Sequence, residues 1–274
     1  MMDTLVGKVV VVTGGAEGLG LGLARAFAEQ GARLALADVQ TDRLGDTVAA
    51  LTADGVEAIG VACDVAEHDD VVRLRDATFA AFGTAHVVCS NAGIGANASL
   101  LAPIDYGRWR RVFAVDYWGV LHGIDVFLPR LLEQGLGHFV HTSSRQGLVA
   151  ATGLGAYPAA KHAVTALTEM LHMELADAGA PVGVTLLTPG GIRTRMMEEQ
   201  RARFDDAQLA DPATRRWIEQ RMATAVDPLD VGRLAVRAVL EDRLYVNTHR
   251  EILGWMRDRV DRIEADADGL GTLH

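Results

Sequence analysis

The sequence predicts an α/β fold with one parallel sheet of about seven strands, doubly wound so that helices cover both faces. Short β-branched runs alternate with longer helical patterns, and no internal repeat or low-complexity linker divides the 274 residues. This length suits one α/β domain with a large core, so residues 1–274 are expected to form a single domain. Ligands of such folds bind at the carboxyl ends of the strands.

The predicted strands are short runs of β-branched or apolar residues, separated by stretches with helical spacing. They are Val9–Thr13, Leu34–Asp38, Glu57–Cys63, Val87–Ser90, His138–Ser143, Val182–Thr188 and Leu244–Asn247. The helical stretches include Leu21–Gln30, His162–Ala178, Asp230–Glu241 and Ile252–Ile263. Residues 264–274 are acidic and contain glycine, so a frayed, flexible tail is expected there.

A glycine-rich turn follows the first predicted strand, and a helical run follows the turn. The threonine that ends the strand and the glycines after it have the spacing TGxxxGxG. A strand, a glycine turn and a helix in this order hold a phosphate against backbone N–H groups and a helix N-terminus, as in a Rossmann fold. The turn therefore predicts a dinucleotide site, with Thr13, Gly14, Gly18, Leu19 and Gly20 as its contacts.

A tyrosine and a lysine four residues apart, Tyr157 and Lys161, stand at the start of a helical pattern. Pro158 suits a first helical position and favours an extended backbone at Tyr157, just outside the helix. The spacing lets the ammonium approach the phenol, and a nearby cation favours the phenolate. Ser144, upstream, is expected to hydrogen-bond the same substrate oxygen. The alternative is a surface tyrosine and lysine that only face each other.

The glycine turn, the serine and Tyr-xxx-Lys, in this order, form a joint signature. The chain resembles the short-chain dehydrogenase/reductase family over roughly residues 5–250. The resemblance implies direct hydride transfer between a substrate carbon and the nicotinamide of a cofactor. It assigns proton transfer to Tyr157, gives Lys161 the tasks of assisting the phenol and holding the nicotinamide ribose, and places Ser144 on the substrate oxygen.

The acidic residue that ends the second predicted strand predicts the choice of cofactor. Asp38 lies about 20 residues past the glycine turn, where a carboxylate can hydrogen-bond the ribose 2′-OH. The same carboxylate would repel the extra phosphate of NADP, and neither Val39 nor Glu17 supplies a basic side chain for that phosphate. NAD is therefore predicted over NADP, with Asp38 and Val39 in contact. A solvated aspartate at a strand end is the alternative.

Three further stretches resemble cofactor contacts of the family. After the third strand, Asp64 is implied to face the adenine amino group. After the fourth, an Asn-Ala-Gly turn matches the small residues near the adenine ribose, although Ser90 stands where relatives commonly have asparagine. After the sixth, the Ile192 backbone is implied to meet the nicotinamide carboxamide, and Thr194 the carboxamide or the pyrophosphate. The full set is Asp64, Val65, Asn91, Ala92, Gly93, Pro189, Gly190, Ile192 and Thr194.

One position departs from the family pattern. Relatives carry an asparagine that completes the proton path, and the matching segment here has Asp116 in its place. Aspartate keeps the backbone carbonyl to which the family role is attributed, but it loses the side-chain N–H donors. When ionised, it favours the ammonium of Lys161 and opposes the phenolate of Tyr157. Our hypothesis is that the relay survives in altered form, with Asp116 among the catalytic residues.

Residues 195–228 form a polar helical segment with scattered apolar residues, where relatives have a lid over the substrate. Its methionine and aromatic side chains suit an apolar, cyclic or aromatic secondary alcohol or ketone. The alternative is that they pack the lid onto the body or onto another subunit. Arg193 and Arg195 are candidates for an acidic substrate group. The candidate substrate residues are Gln146, Leu148, Ala151, Met196 and Met197.

Composition and charge argue against several other functions. The 26 basic and 36 acidic residues give a net charge of −10, which disfavours non-specific nucleic-acid binding. No apolar run is long enough to span a bilayer, and no histidine or cysteine pattern indicates a metal. Cys63 and Cys89 lie in apolar runs, as expected for buried thiols in a reducing cytoplasm.

The resemblance also implies a homotetramer or homodimer, joined through the helices around residues 105–134 and 157–178. Three alternatives to an NAD-dependent dehydrogenase stay open. A nucleotide-sugar epimerase or dehydratase would favour a TGxxGxxG turn and a longer C-terminal part. A non-enzymatic dinucleotide-binding regulator would be free to lose Ser144, Tyr157 or Lys161, all of which are present. An NADP-dependent ketoreductase is the third alternative.

Overall fold

The computed structural model describes residues 2–95, 100–195, 197–198, 215–216 and 222–270, with side chains to residue 267. Its strands are β1 (Val9–Thr13), β2 (Arg33–Asp38), β3 (Ala58–Ala62), β4 (Val87–Ser90), β5 (Gly137–Thr142), β6 (Val182–Thr188) and β7 (Tyr245–Asn247). In this part of the chain they form one parallel seven-stranded sheet in the order β3-β2-β1-β4-β5-β6-β7. The predicted fold class is confirmed, and β1, β4 and β6 have the predicted bounds.

The helices are α1 (Gly18–Ala28), α2 (Thr41–Ala53), α3 (His68–Phe82), α4 (Tyr106–Phe113), α5 (Gly119–Glu133), α6 (Ala156–Asp177), α7 (Pro228–Leu240) and α8 (Glu251–Leu270). A π-helical turn, Ala114–Trp118, joins α4 to α5, and a 3-10 turn, Arg145–Gly147, follows β5. Residues 264–270, predicted as a frayed tail, are instead the last turns of α8. Residues 271–274 lie outside the described residues.

The sheet is buried on both faces because successive side chains of a strand point in opposite directions. Val10 and Val12 of β1 belong to the apolar cluster that includes α1 and α7. Val11, between them, belongs to the cluster that includes α3, α5 and α6. The valine run of β1 therefore serves two cores, which fixes the central strand between two helical layers.

The chain changes its winding direction between β1 and β4, which are neighbours at the centre of the sheet. From β1 it proceeds outward through β2 to β3, and from β4 it proceeds the other way to β7. Such a switch point opens a crevice at the carboxyl ends of the two strands. The glycine turn after β1 and the Asn91 turn after β4 meet there.

The structure also bears on the cysteines, on membrane spans, on metal-binding groups and on the predicted lid. Cys63 and Cys89 are free and buried, as predicted. None of the helices in the described ranges is long and apolar enough to cross a membrane. Those ranges also hold no group of three or more histidine, cysteine, aspartate or glutamate side chains placed to bind a metal. Much of the predicted lid, residues 195–228, lies outside the described residues, and α7 begins at Pro228.

Candidate active site

The glycine turn is held by contacts that leave no room for side chains. A Cβ on Gly20 would lie 1.9 Å from the carbonyl oxygen of Gly14, and one on Gly14 would lie 2.9 Å from Cα of Ala92. Gly14 and Gly18 also have positive φ angles, 65° and 56°, which favour glycine. α1 begins at Gly18 rather than at the predicted Leu21, so its N-terminus borders the groove. The first N–H groups of a helix have no intrahelical partner and can donate to a phosphate.

Thr13 joins the turn to the end of β4. Its hydroxyl oxygen accepts hydrogen bonds from the backbone N–H groups of Asn91, at 2.9 Å, and Ala92, at 3.1 Å. The Asn91 amide donates to the Thr13 carbonyl oxygen at 3.0 Å and accepts from the Thr142 hydroxyl at 3.2 Å. Thr13 is not part of the groove wall. Its bonds hold the glycine turn against the end of β4, and its contact with the cofactor stays a prediction.

Asp38 ends β2 with its carboxylate held by backbone N–H groups. Oδ2 accepts from Ala16 N at 3.1 Å, and Oδ1 accepts from Gln40 N at 3.0 Å. The residue is buried, yet it lies in the groove wall beside the exposed Val39. A carboxylate fixed at this wall can accept a hydrogen bond from a sugar hydroxyl and repels a nearby anion.

Glu17, next to the turn, binds side chains from three other segments. Its carboxylate accepts from Arg195 at 2.8 Å and from Gln40 at 3.3 Å, and it also pairs with Arg43. Arg195 follows β6, Gln40 follows β2, and Arg43 lies in α2. The charges of both arginines are therefore offset by the same carboxylate.

Asp64 follows β3 and lies in the groove wall with Val65. Its Oδ1 accepts from Ala66 N at 3.0 Å, and its Oδ2 pairs with Arg111 of α4 at 2.7 Å. A carboxylate has about four lone-pair sites, so Asp64 can still accept a hydrogen bond from a ligand. The sequence analysis did not identify Arg111.

Tyr157 and Lys161 lie on one face of α6, as predicted, but this helix begins earlier than expected. It starts at Ala156, after Gly155, so Tyr157 lies in its first turn rather than outside it, and Pro158 is the third residue. Proline is tolerated there because the first N–H groups of a helix have no intrahelical partner. The Lys161 ammonium lies 5.7 Å from the centroid of the Tyr157 ring.

Lys161 is buried and held by two oxygen atoms. Its Nζ donates to the carbonyl oxygen of Thr142 at 3.0 Å and lies 3.3 Å from Oδ2 of Asp116. An ammonium has three N–H donors. The hydrogen bond to Thr142 uses one of them, so the ammonium can face Asp116 and still donate to a ligand in the groove.

Ser144 begins the 3-10 turn after β5. Its Oγ accepts from Gln146 N at 3.1 Å, which leaves the hydroxyl hydrogen available to a ligand. The turn is anchored to α6, because the Ser143 hydroxyl donates to the Lys161 carbonyl oxygen at 2.9 Å. A Cβ on Gly147 would lie 2.6 Å from that same oxygen. This close packing fixes Ser144 relative to Lys161.

Asp116 lies in the π-helical turn between α4 and α5 and is completely buried. Its Oδ1 accepts from Ile94 N at 2.8 Å, and its Oδ2 faces Lys161. Burial raises the pKa of Asp116 above its ordinary value, while the Lys161 ammonium acts in the opposite direction. The position that departs from the family pattern thus carries a buried carboxyl in contact with the motif lysine.

These segments enclose one groove of about 520 Å³. It runs past the glycine turn, the ends of β2 and β3, the Asn91 turn and the start of α6. The predicted residues in its wall are Gly14, Gly18, Leu19, Gly20, Asp38, Val39, Asp64, Val65, Asn91, Ala92, Gly93, Ser144, Gln146, Tyr157, Lys161, Pro189, Gly190, Ile192, Thr194 and Met197.

Comparison with known proteins identifies the protein family to which this site belongs. A family model described as short chain dehydrogenase matches residues 8–205. The chain belongs to the short-chain dehydrogenase/reductase family. It is therefore an NAD(P)-dependent oxidoreductase that acts on CH–OH groups, which confirms the enzyme class predicted from the motifs.

Similar proteins, one of them with a solved structure, support this family assignment over most of the chain. A protein of Mycobacterium tuberculosis named SadH is 44% identical over 193 residues, which are 70% of each chain. A 1-deoxy-11-beta-hydroxypentalenate dehydrogenase of Streptomyces exfoliatus is 34% identical over 93% of this chain and 88% of its own. A short-chain dehydrogenase/reductase from Burkholderia phymatum, solved in complex with NAD, has a TM-score of 0.86, 37% identity and 97% coverage of both chains.

The substrate end of this short-chain dehydrogenase differs from the sequence prediction. Leu148 is buried away from the groove, and Ala151 is exposed outside it, so neither lies in the wall. Met196 lies outside the described residues. Ile94 and Leu154 line the groove instead, with Arg108, Arg111 and Arg145. The available hint for Ile94 was its position directly after the Asn-Ala-Gly turn.

Proposed function

We propose that this protein is an NAD-dependent dehydrogenase or ketone reductase that moves a hydride between nicotinamide and a secondary alcohol or ketone, with Tyr157 as general acid and base. One observation carries the proposal: Tyr157, Lys161 and Ser144 line the same groove as the glycine turn and Asp38. The proton-transfer group and the dinucleotide site thus share one cavity, as a reaction between two bound molecules requires.

The residues around the glycine turn suit NAD. Gly14 and Gly20 form a cradle that side chains would fill, and the N-terminus of α1 favours a phosphate. Asp38 suits the ribose 2′-OH, and its charge disfavours the extra phosphate of NADP. The NAD complex of the Burkholderia phymatum relative agrees with this choice.

Bound NAD would supply the hydride acceptor for oxidation, and the chain's own residues handle the proton. Tyr157 takes the proton of the substrate hydroxyl during oxidation and returns it during reduction. Lys161, beside the phenol, favours the phenolate and can also donate a hydrogen bond to the cofactor. Ser144 donates its hydroxyl hydrogen to the substrate oxygen, on which negative charge develops.

The wall near Tyr157 suits an apolar, cyclic or aromatic substrate. Ile94, Leu154 and Met197 supply apolar surface. Gln146 supplies Oε1, which is buried and has no hydrogen-bond partner in the described part of the chain. A buried amide oxygen is costly unless a ligand donates to it. A cyclic alcohol with a second donor group would meet both features, and the Streptomyces exfoliatus relative is named for a hydroxylated pentalenate.

Nicotinamide absorbance tests this function with purified protein, NAD and aliphatic, cyclic, aryl and steroid-like secondary alcohols. Tyr157→Phe should keep NAD binding and lose turnover by about 100- to 10,000-fold, because it removes the general base. The matched control is Tyr245→Phe, whose hydroxyl donates to Glu169 at the surface and whose loss should leave turnover unchanged. Unimpaired turnover in Tyr157→Phe would contradict the assignment.

We also infer a homotetramer or homodimer located in the cytoplasm. Trp118, Met170 and Met173 are about half exposed, at 49%, 51% and 56%. Large apolar side chains at the surface suit burial against a second copy. The free thiols Cys63 and Cys89 suit a reducing compartment. Light scattering should give a multiple of the 29.3 kDa chain mass, and a monomer at micromolar concentration would contradict the assembly.

A further inference from the structure

The buried carboxyl of Asp116 lies behind the tyrosine–lysine pair. Its Oδ1 is satisfied by the backbone N–H of Ile94 at 2.8 Å. Its Oδ2 has no hydrogen-bond partner in the described residues, and the ammonium of Lys161, 3.3 Å away, is its ion-pair partner. A buried carboxylate is strongly unfavourable without a cation. The charge of Lys161, in direct contact, therefore compensates most of the charge of the carboxylate.

The charged and titratable groups that face Asp116 come from two helices. From α6 comes Lys161, whose ammonium also lies 5.7 Å from the centroid of the Tyr157 ring. From α4 comes Arg108, whose charge also favours the carboxylate. The segment after β4 contributes Gly93, on which a Cβ would lie 3.3 Å from Lys161 Nζ and 3.4 Å from Asp116 Oδ2. From β5 comes the neutral carbonyl oxygen of Thr142.

We propose that Asp116 is a positioning residue whose carboxylate fixes the Lys161 ammonium, offsets part of its charge, and so raises the pH at which Tyr157 gives up its proton. The inference rests on the proposed function, in which Tyr157 exchanges the substrate proton. Lys161 pairs with Asp116 and lies beside the Tyr157 ring, so each acidic group reduces the attraction that the cation exerts on the other. Because burial raises the pKa of Asp116, this competition begins at a higher pH than it would for an exposed aspartate.

An asparagine in this place would act differently. Its amide oxygen would still accept from Ile94 N, but its NH₂ group would then face Lys161, and two donors do not attract each other. The charges beside Tyr157 would then be those of Lys161 and Arg145, without the opposing carboxylate. The phenolate of Tyr157 would therefore form at lower pH.

The experiment compares the wild type, Asp116→Asn and Asp76→Asn in two pH titrations. Asp76 is a matched control, because its exposed carboxylate on α3 pairs with Arg75. The first titration follows kcat and KM for alcohol oxidation. The second follows the absorbance of ionised tyrosine in NAD-free protein, with the Tyr157 signal isolated by subtraction of the Tyr157→Phe spectrum. This second readout is independent of cofactor binding.

In both titrations, the Asp116→Asn midpoint should lie about one pH unit below the wild-type midpoint. Asp76→Asn should match the wild type, and Asp116→Glu, which restores a carboxylate, should move the midpoint back. An Asp116→Asn midpoint equal to or above the wild-type value overturns the proposal. If Asp116→Asn does not fold, as judged by thermal unfolding, Asp116→Ser removes the same charge in a smaller volume.

Failure of both neutral variants to fold would assign Asp116 to folding alone and would also overturn the proposal. The test separates this inference from the function on which it rests. Full turnover in Tyr157→Phe refutes the proposed function itself. An unmoved midpoint in Asp116→Asn, together with an inactive Tyr157→Phe, refutes only the role of Asp116.

Discussion

Two neutral histidines in the core make the fold sensitive to acid. His138 and His141 lie in β5, the strand that leads to Ser144. The Thr168 hydroxyl donates its hydrogen to the Val164 carbonyl oxygen at 2.7 Å, so it must accept from Nδ1 of His141 at 3.0 Å. His141 therefore carries its proton on Nδ1, and its Nε2 is bare.

His138 is fixed in the same way. The Thr185 hydroxyl donates to the Arg243 carbonyl oxygen at 2.8 Å and therefore accepts from Nε2 of His138 at 2.8 Å. A second proton on His141 would occupy Nε2, which is buried without a partner in the described part of the chain. Burial lowers the pKa of His138 to about 4 and that of His141 to about 3.

The loss of folding stability at low pH follows from these two pKa values. A histidine in the unfolded chain has a pKa of about 6.5, so below that pH the unfolded chain binds protons that the folded chain does not. The stability that the neutral rings contribute is complete above this pH and is lost as the pH falls. At pH 5 the loss is about 2 kcal/mol for each ring and about 4 kcal/mol for the pair. That is a large part of a typical unfolding free energy of about 5–15 kcal/mol.

Urea unfolding at pH 7 and pH 5 measures this loss. His141→Phe removes one titrating ring and fills its space, while the Thr168 hydroxyl keeps its bond to Val164. This variant should lose about 2 kcal/mol less than the wild type between the two pH values. His172→Gln, at an exposed position of α6, should behave as the wild type does. Equal pH sensitivity in the wild type and His141→Phe would refute the reasoning.

Two further predictions concern the cofactor end of the groove. Gly20→Ala should weaken NAD binding at least about tenfold in calorimetry, because its Cβ would lie 1.9 Å from Gly14 O and the phosphate-binding turn would have to move. Gly45→Ala is the control, because the space around Gly45 is open. Unchanged NAD affinity in Gly20→Ala would contradict the role of the turn. Asp38→Ser should lower the ratio of kcat/KM for NAD over NADP about 100-fold, since a unit charge at ~4 Å contributes a few kcal/mol near a protein surface. The exposed Asp42→Ser is its control, and a ratio within about twofold of wild type in Asp38→Ser would argue against charge repulsion.

The strands were predictable because each is a short apolar run that ends in polar or small residues, as Val9–Thr13 does. Helix starts were less predictable. The preference of a residue before proline for extended backbone placed Tyr157 outside α6, whereas Gly155, with a φ of 53°, lets the helix begin at Ala156. The end of α8 at Leu270 was missed because an acidic, glycine-containing stretch lacks an apolar pattern.

The site residues that belong to local motifs were predictable, since each motif lies at the end of a strand. Contacts between distant segments were not. The pairing of Asp64 with Arg111 joins residues 47 positions apart, and nothing local to either residue indicates it. Likewise, the sequence between Ser144 and Tyr157 contains two leucines, and only the path of the loop decides that Leu154 lines the groove while Leu148 does not.

Asp116 was identified by a local motif, but its contacts with distant segments were not predictable. The motif comparison identified the position and the change from asparagine, but the sign of its effect could not be settled from the sequence. Its complete burial and the 3.3 Å contact with Lys161 depend on the packing of the π-helical turn against α6. With that geometry, the direction of the expected pH shift follows from charge alone.

The most direct test of the proposed reaction combines nicotinamide absorbance with calorimetry on the wild type and Tyr157→Phe. We expect the wild type to reduce NAD with a subset of cyclic or aryl secondary alcohols and to reduce NADP more slowly. We expect Tyr157→Phe to bind NAD with wild-type affinity and to lose turnover by about 100- to 10,000-fold. Full turnover in Tyr157→Phe, or faster reduction of NADP than of NAD by the wild type, would contradict an NAD-dependent reaction with Tyr157 as general base.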